Sequence, residues 1–158
     1  MHDDFRLPQS RWIALLSIAH RYEFLNMYKR AIREIYDFTP SEYWNAEQKS
    51  DTDSDSDAGP QSPDSKLDHV MLISVAEKYD APLQHVVPTF IALVLRPNPL
   101  EDAEAAHLST LTMCRLARAR EHYLRKYPLS TNRLSQNDRR EGAERIVREI
   151  WLPITTEI

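Results

Sequence analysis

The sequence predicts an all-α protein, an array of antiparallel helical hairpins carrying one long disordered acidic loop, and three observations lead there. Glycine occurs only 2 times in 158 residues while proline occurs 10 times. Tight β-hairpins need glycine at positive φ, whereas helices tolerate proline between them. Apolar residues recur at spacings of three and four from end to end, and no stretch alternates with the period of a strand. Hydrophobic residues make up 42% of the chain, enough to build a core at this length.

The first helix is expected from Arg11, with Ser10 as its cap, burying Trp12, Leu15, Leu16, Ala19 and Tyr22. A second follows Phe24, with Leu25, Tyr28, Ala31, Ile32 and Ile35 inward. So short a connection implies an antiparallel pair. Thr39-Pro40-Ser41-Glu42 reads as a cap, a first-turn proline and an acidic first turn, opening a short third helix through Trp44. Residues 1–49 therefore form a helical hairpin plus a short helix.

Residues 50–65 hold Asp51, Asp53, Asp55, Asp57 and Asp64 and no Lys or Arg. No side chain from 50 to 64 is large and apolar, so nothing offsets an ordering entropy of about 1–2 kcal/mol per residue, and a disordered loop is expected. Ser50, Thr52 and Ser54 each have an aspartate three residues downstream, and Ser62 precedes Pro63. These are candidate phosphorylation sites, for acidophilic kinases and for a proline-directed one respectively.

Residues 66–127 are read as the central helices of the same domain. Leu72, Val75, Ala76 and Tyr79 mark one, ended by Asp80-Ala81-Pro82. Pro88 is expected to open the next, after a turn through Leu83–Val87, because proline inside a helix loses a hydrogen bond and clashes with the preceding turn. Phe90, Ile91, Val94 and Leu95 would face inward until Arg96-Pro97-Asn98-Pro99. A short helix over Glu101–His107 leads into a longer one with Leu111, Leu116, Ala119 and Tyr123 on a common face, closed by Tyr127-Pro128. Residues 128–158 supply a linker and an amphipathic helix over Gln136–Trp151, with Ile146, Val147 and Ile150 inward and Glu141–Arg145 and Glu144–Arg148 in the favourable order. The aromatic part of the core is expected to comprise Trp12, Tyr22, Phe24, Tyr79 and Phe90, with Leu93 beside them.

The residues argue against catalysis. The six histidines are scattered and none forms an H-E-x-x-H pair. With two glycines there is no phosphate-binding loop, and Cys114, between Met113 and Leu116, reads as a small core residue. No catalytic residue, metal ligand, cofactor or small-molecule substrate is assigned. The acidic start Met1-His2-Asp3-Asp4 is unlike a secretory signal, no run of 18 apolar residues exists, and one cysteine suits a reducing compartment. A cytoplasmic or nuclear protein that does not span a membrane is expected.

The net charge of −4 conceals a segregation. From Thr110 to Ile150 ten basic residues face five acidic ones. Arg115, Arg118, Arg120, Arg125, Lys126, Arg139 and Arg140 form a candidate basic surface, and with it the alternative of a nuclear nucleic-acid- or chromatin-associated factor. Interleaved carboxylates favour a plain solvated face.

Five stretches carry a family spelling, in order: Trp12-Ile13-Ala14-Leu15-Leu16-Ser17-Ile18-Ala19-His20-Arg21-Tyr22-Glu23-Phe24 with Ala31-Ile32-Arg33-Glu34; Ile73-Ser74-Val75-Ala76-Glu77-Lys78-Tyr79-Asp80; Val87-Pro88-Thr89-Phe90-Ile91-Ala92-Leu93; Arg96-Pro97-Asn98-Pro99-Leu100; and Leu116-Ala117-Arg118-Ala119-Arg120-Glu121. Together they resemble the helical region that follows the BTB/POZ domain in fungal, chiefly mushroom-type, BTB-domain proteins. The BTB domain itself is absent here, residues 50–65 look like an insertion, and Ser109 stands where that family often has glycine. The resemblance implies a non-enzymatic protein–protein interaction module or adaptor. It also implies that Phe5, Leu7, Trp12 and Ile13, the face that would rest on a BTB domain, are a candidate partner or self-association surface.

Overall fold

A computed structural model of the chain describes residues 7–36, 68–128 and 135–152. Among the described residues 78% are helical, in seven helices and without a strand, so the protein is all-α. The chain divides into two compact units, residues 1–67 and 68–158. The expected third helix through Trp44 and the acidic segment 50–65, with Ser50, Thr52, Ser54 and Ser62, lie outside the described residues.

In the first unit α1 (Gln9–Arg21) and α2 (Leu25–Tyr36) pack against each other. Trp12, Leu16 and Ala19 are buried from α1, and Ala31, Ile32, Ile35 and Tyr36 from α2. The amide of Gln9 donates to the carbonyl of Ile35 at 3.2 Å, so the start of α1 lies beside the end of α2. Ser10 is not the cap: the helix begins at Gln9, two residues earlier than expected, behind Pro8, and no side chain caps it. Pro8 has the fixed φ that leads into a first turn, and its carbonyl accepts from the Arg11 and Trp12 amides.

The second unit is organised around α4 (Leu83–Leu95), which packs against α3 (His69–Lys78), α6 (Thr110–Lys126) and α7 (Gln136–Trp151). Val86, Val87, Thr89, Phe90, Ile91, Leu93 and Val94 of α4 are all buried. A helix apolar on most of its circumference belongs at the centre of a bundle. The ring of Phe90 meets that of Trp151 at 4.4 Å between centroids, fastening α7 to α4. Pro88 does not open α4; it sits inside the helix. The carbonyl deprived of its partner belongs to exposed Gln84, where water can satisfy it, while buried Val86 and Val87 hold the turns on either side of that gap.

Short elements close the unit. α5 (Asp102–Ala105) is a single turn with a capping box between Glu101 and Glu104, shorter than the expected 101–107 helix. Ser109 caps α6 by accepting from the Thr112 amide, and its own hydroxyl and amide donate to the Glu77 carboxylate at 2.5 and 3.0 Å. Burial pushes Glu77 up, but the Ser109 hydroxyl, Thr112 and the Ser109 amide together outweigh it and hold the carboxyl below its ordinary value. Leu111 is exposed rather than inward; Thr112, four residues before Leu116, takes its place on the buried stripe with Ala119 and Tyr123. In α7, buried Gly142 lies under Tyr127, where an added Cβ would stand 2.6 Å from the ring.

Two helices end alike. Glu23 after α1 and Asp80 after α3 adopt the left-handed conformation, each at φ 56°. The amide of Phe24 then reaches back to Ala19 and that of Ala81 to Ala76, the Schellman closure that glycine usually makes. An L side chain is strained there by about 1–2 kcal/mol, partly offset by the greater freedom glycine has when unfolded. Glu23→Gly and Asp80→Gly are therefore each expected to raise stability by up to about 1 kcal/mol in urea unfolding. A loss of stability in both would show that these turns are held by their side chains.

Candidate functional site

No group of three or more His, Cys, Asp or Glu side chains able to hold a metal occurs among the described residues. Cys114, expected in the core, is exposed. It points away from the Thr112–Leu116–Ala119–Tyr123 stripe that α6 buries.

The basic surface is divided by structural work. Arg120 spends its guanidinium on the end of α4, donating to the carbonyls of Leu93 at 3.3 Å, Asn98 at 2.8 Å and Pro97 at 3.3 Å. Burial, and next the charge of Arg96, push its pKa down from the ordinary value. Arg96 itself, at the end of α4, pairs with Glu104 at 2.6 Å. That pairing raises the Arg96 pKa and lowers that of Glu104. Arg125 pairs with Glu121 at 2.6 Å, Arg148 with Glu144 at 2.9 Å, and Lys126 lies 5.9 Å from the Tyr127 ring centroid. Arg118 is exposed, Arg115, Arg139 and Arg140 are half-buried, and Arg139 is already engaged. Of the arginines named from the sequence, Arg120, Arg125 and Arg139 are thus engaged within the protein.

Trp12 is buried at 5% exposure, Leu7 and Ile13 are half-buried, and Phe5 lies outside the described residues. Trp12 faces the α1–α2 seam, as its spacing from Leu16 and Ala19 requires. Tyr22 and Phe24, expected in the core, are instead 61% and 54% exposed. They flank Glu23 in the turn that ends α1, and a three-residue connection cannot reach beneath the helices it joins. Their rings stack on each other at 6.0 Å. Leu25 and Met27, on the first turn of α2, and Ile18 on α1 are also exposed.

Of these side chains, Phe24, Leu25 and Met27 border an open groove of about 800 Å³. Trp12 and Leu15 line it from α1, Glu23 and Phe24 from the turn, and Leu25, Asn26, Met27 and Arg30 from α2. Arg30 extends over the Trp12 ring at 5.6 Å, a cation–π contact that holds the indole and forms one wall. The sequence signal for this groove was the apolar run around Glu23, too dense for a polar turn. It was absorbed into the helical stripes on either side.

No known protein family matches the chain, and no curated protein or solved structure matches it either.

The division of the arginines can be measured. Arg120→Met should cost about 1.5–3 kcal/mol of unfolding free energy, since the charged donor to three carbonyls, one of them at buried Leu93, is lost. Arg118→Met should stay within about 0.5 kcal/mol. Equal effects of the two substitutions would contradict the assignment of Arg120 to the end of α4.

Proposed function

We propose that this chain is a non-enzymatic protein–protein interaction module of the kind that follows the BTB domain in fungal BTB proteins, acting in the cytosol or nucleus. The observation that carries the reading is the groove of the first unit, bordered by Phe24, Leu25 and Met27, each more than 40% exposed. Contiguous apolar surface costs free energy in water and marks places where a partner docks. No helix among the described residues is long and apolar enough to cross a membrane. The resemblance of Trp12–Phe24, Ile73–Asp80, Val87–Leu93, Arg96–Leu100 and Leu116–Glu121 to post-BTB helices agrees with adaptor work. Nucleic-acid binding is the weaker reading, because Arg120 and Arg125 have partners within the protein.

The test compares the protein with a Phe24→Glu/Leu25→Glu variant as baits in an extract of the organism of origin. Both side chains are more than half exposed, so the variant should fold and keep its melting temperature. The expected result is a set of proteins enriched on the wild type and lost from the variant, insensitive to nuclease. Identical recoveries with both baits, or recoveries abolished by nuclease, would overturn the proposal.

A further inference from the structure

We infer that the partner of the α1–α2 groove is an acidic amphipathic helix, one that lays an apolar stripe into the groove and carries carboxylates along its flank. This rests on the interaction reading above and names the chemistry of the partner.

The shape calls for inserted side chains. The groove is an open depression between two helices, floored by Trp12 and Leu15 and bordered by Phe24, Leu25 and Met27. An amphipathic helix presents apolar residues at i, i+3, i+4 and i+7 to such a channel. Its backbone groups are already satisfied internally, so burying it leaves no polar backbone unpaired.

The charge calls for carboxylates. The described part of this unit holds Arg11, Arg21, Lys29, Arg30 and Arg33 against only Glu23 and Glu34. Arg11, Leu15, Ile18 and Tyr22 follow one another at spacings of four, three and four, so Arg11 continues the exposed apolar stripe of α1 toward its start. On α2, Asn26, Arg30 and Arg33 follow at four and three, which carries the cations away from the groove along one flank. Arg30 has Glu34 at 4.0 Å, while Arg11, Lys29 and Arg33 are exposed without an ion-pair partner among the described residues. Glu23 stands at the turn end, so the site is polarised and its cationic end is the one away from the turn. Arg11 and Arg33, one helical turn beyond the lining residues Leu15 and Arg30, are cations at that end of the groove, unpaired among the described residues, and such charges steer an acidic partner and repel a basic one.

An anionic membrane would satisfy the same cations. It is the lesser fit, because a bilayer receives a convex apolar ridge, whereas Trp12 and Leu15 lie recessed.

The experiment titrates the full chain with synthetic helical peptides that share one leucine stripe at i, i+3, i+4 and i+7. Their remaining surface is glutamate-rich in one and lysine-rich in the other. Phosphatidylserine vesicles form a third arm. Binding is followed by NMR shifts or calorimetry at low and high salt. The glutamate peptide should bind about tenfold more tightly than the lysine peptide, the ratio that two or three rim ion pairs supply. The preference should shrink as salt screens it. Arg11→Glu/Arg33→Glu, at two exposed positions, should abolish or reverse the preference, with an unchanged circular dichroism spectrum reporting the fold. Equal or tighter binding of the lysine peptide, binding of vesicles alone, or binding of neither peptide would overturn the inference. Such a failure leaves the interaction reading to its own test, since partners lost from the Phe24→Glu/Leu25→Glu bait would still mark the groove as a docking site of other chemistry.

Discussion

The second unit depends on the burial of α4 on most sides. Val86, Val87, Phe90, Ile91, Leu93 and Val94 leave water together, against α3, α6 and α7. Each such side chain contributes about 1.5–3 kcal/mol when fully buried, so this helix is the largest local source of stability. It also creates a polar debt at its C-terminal end, where the last carbonyls have no intrahelical donor. Arg120 meets it by bridging the carbonyls of Leu93, Pro97 and Asn98, and the Arg96–Glu104 pair ties the following turn to α5. An arginine that looks like part of a binding face is therefore committed to the fold.

The first unit works under the opposite constraint. Two helices share a single seam, and that seam accommodates Trp12, Leu16 and Ala19 against Ala31, Ile32 and Ile35. Ile18, Tyr22, Phe24, Leu25 and Met27 lie off that seam and are exposed. Phe24, Leu25 and Met27 among them line the groove, with Arg30 over the Trp12 ring.

The fold was largely legible because helical periodicity and proline positions both survive without tertiary information. Gln136–Trp151 has the bounds its pattern implied, and Tyr127-Pro128 closes α6 as expected. Departures occur where packing or solvent overrides a local rule. Pro88 is accommodated in α4 because the carbonyl it deprives is at an exposed residue. Leu111 yields its inward place to Thr112, which shares the four-residue spacing to Leu116. The groove was less legible than the fold. Tyr22 and Phe24 continue the apolar stripes on paper, and only the left-handed turn at Glu23 separates them from the core. Likewise nothing in its neighbours distinguishes Arg120 from Arg118, because the carbonyls it bridges lie more than twenty residues away.

The central claim is that the apolar residues around Glu23 stand in water while Trp12 beside them does not. Hydroxyl-radical footprinting of the isolated protein, read by mass spectrometry at each aromatic residue, tests it directly. Strong oxidation of Tyr22 and Phe24, with Trp12, Phe90 and Trp151 protected, is the predicted pattern. Protection of Tyr22 and Phe24 equal to that of Phe90 and Trp151 would contradict the account.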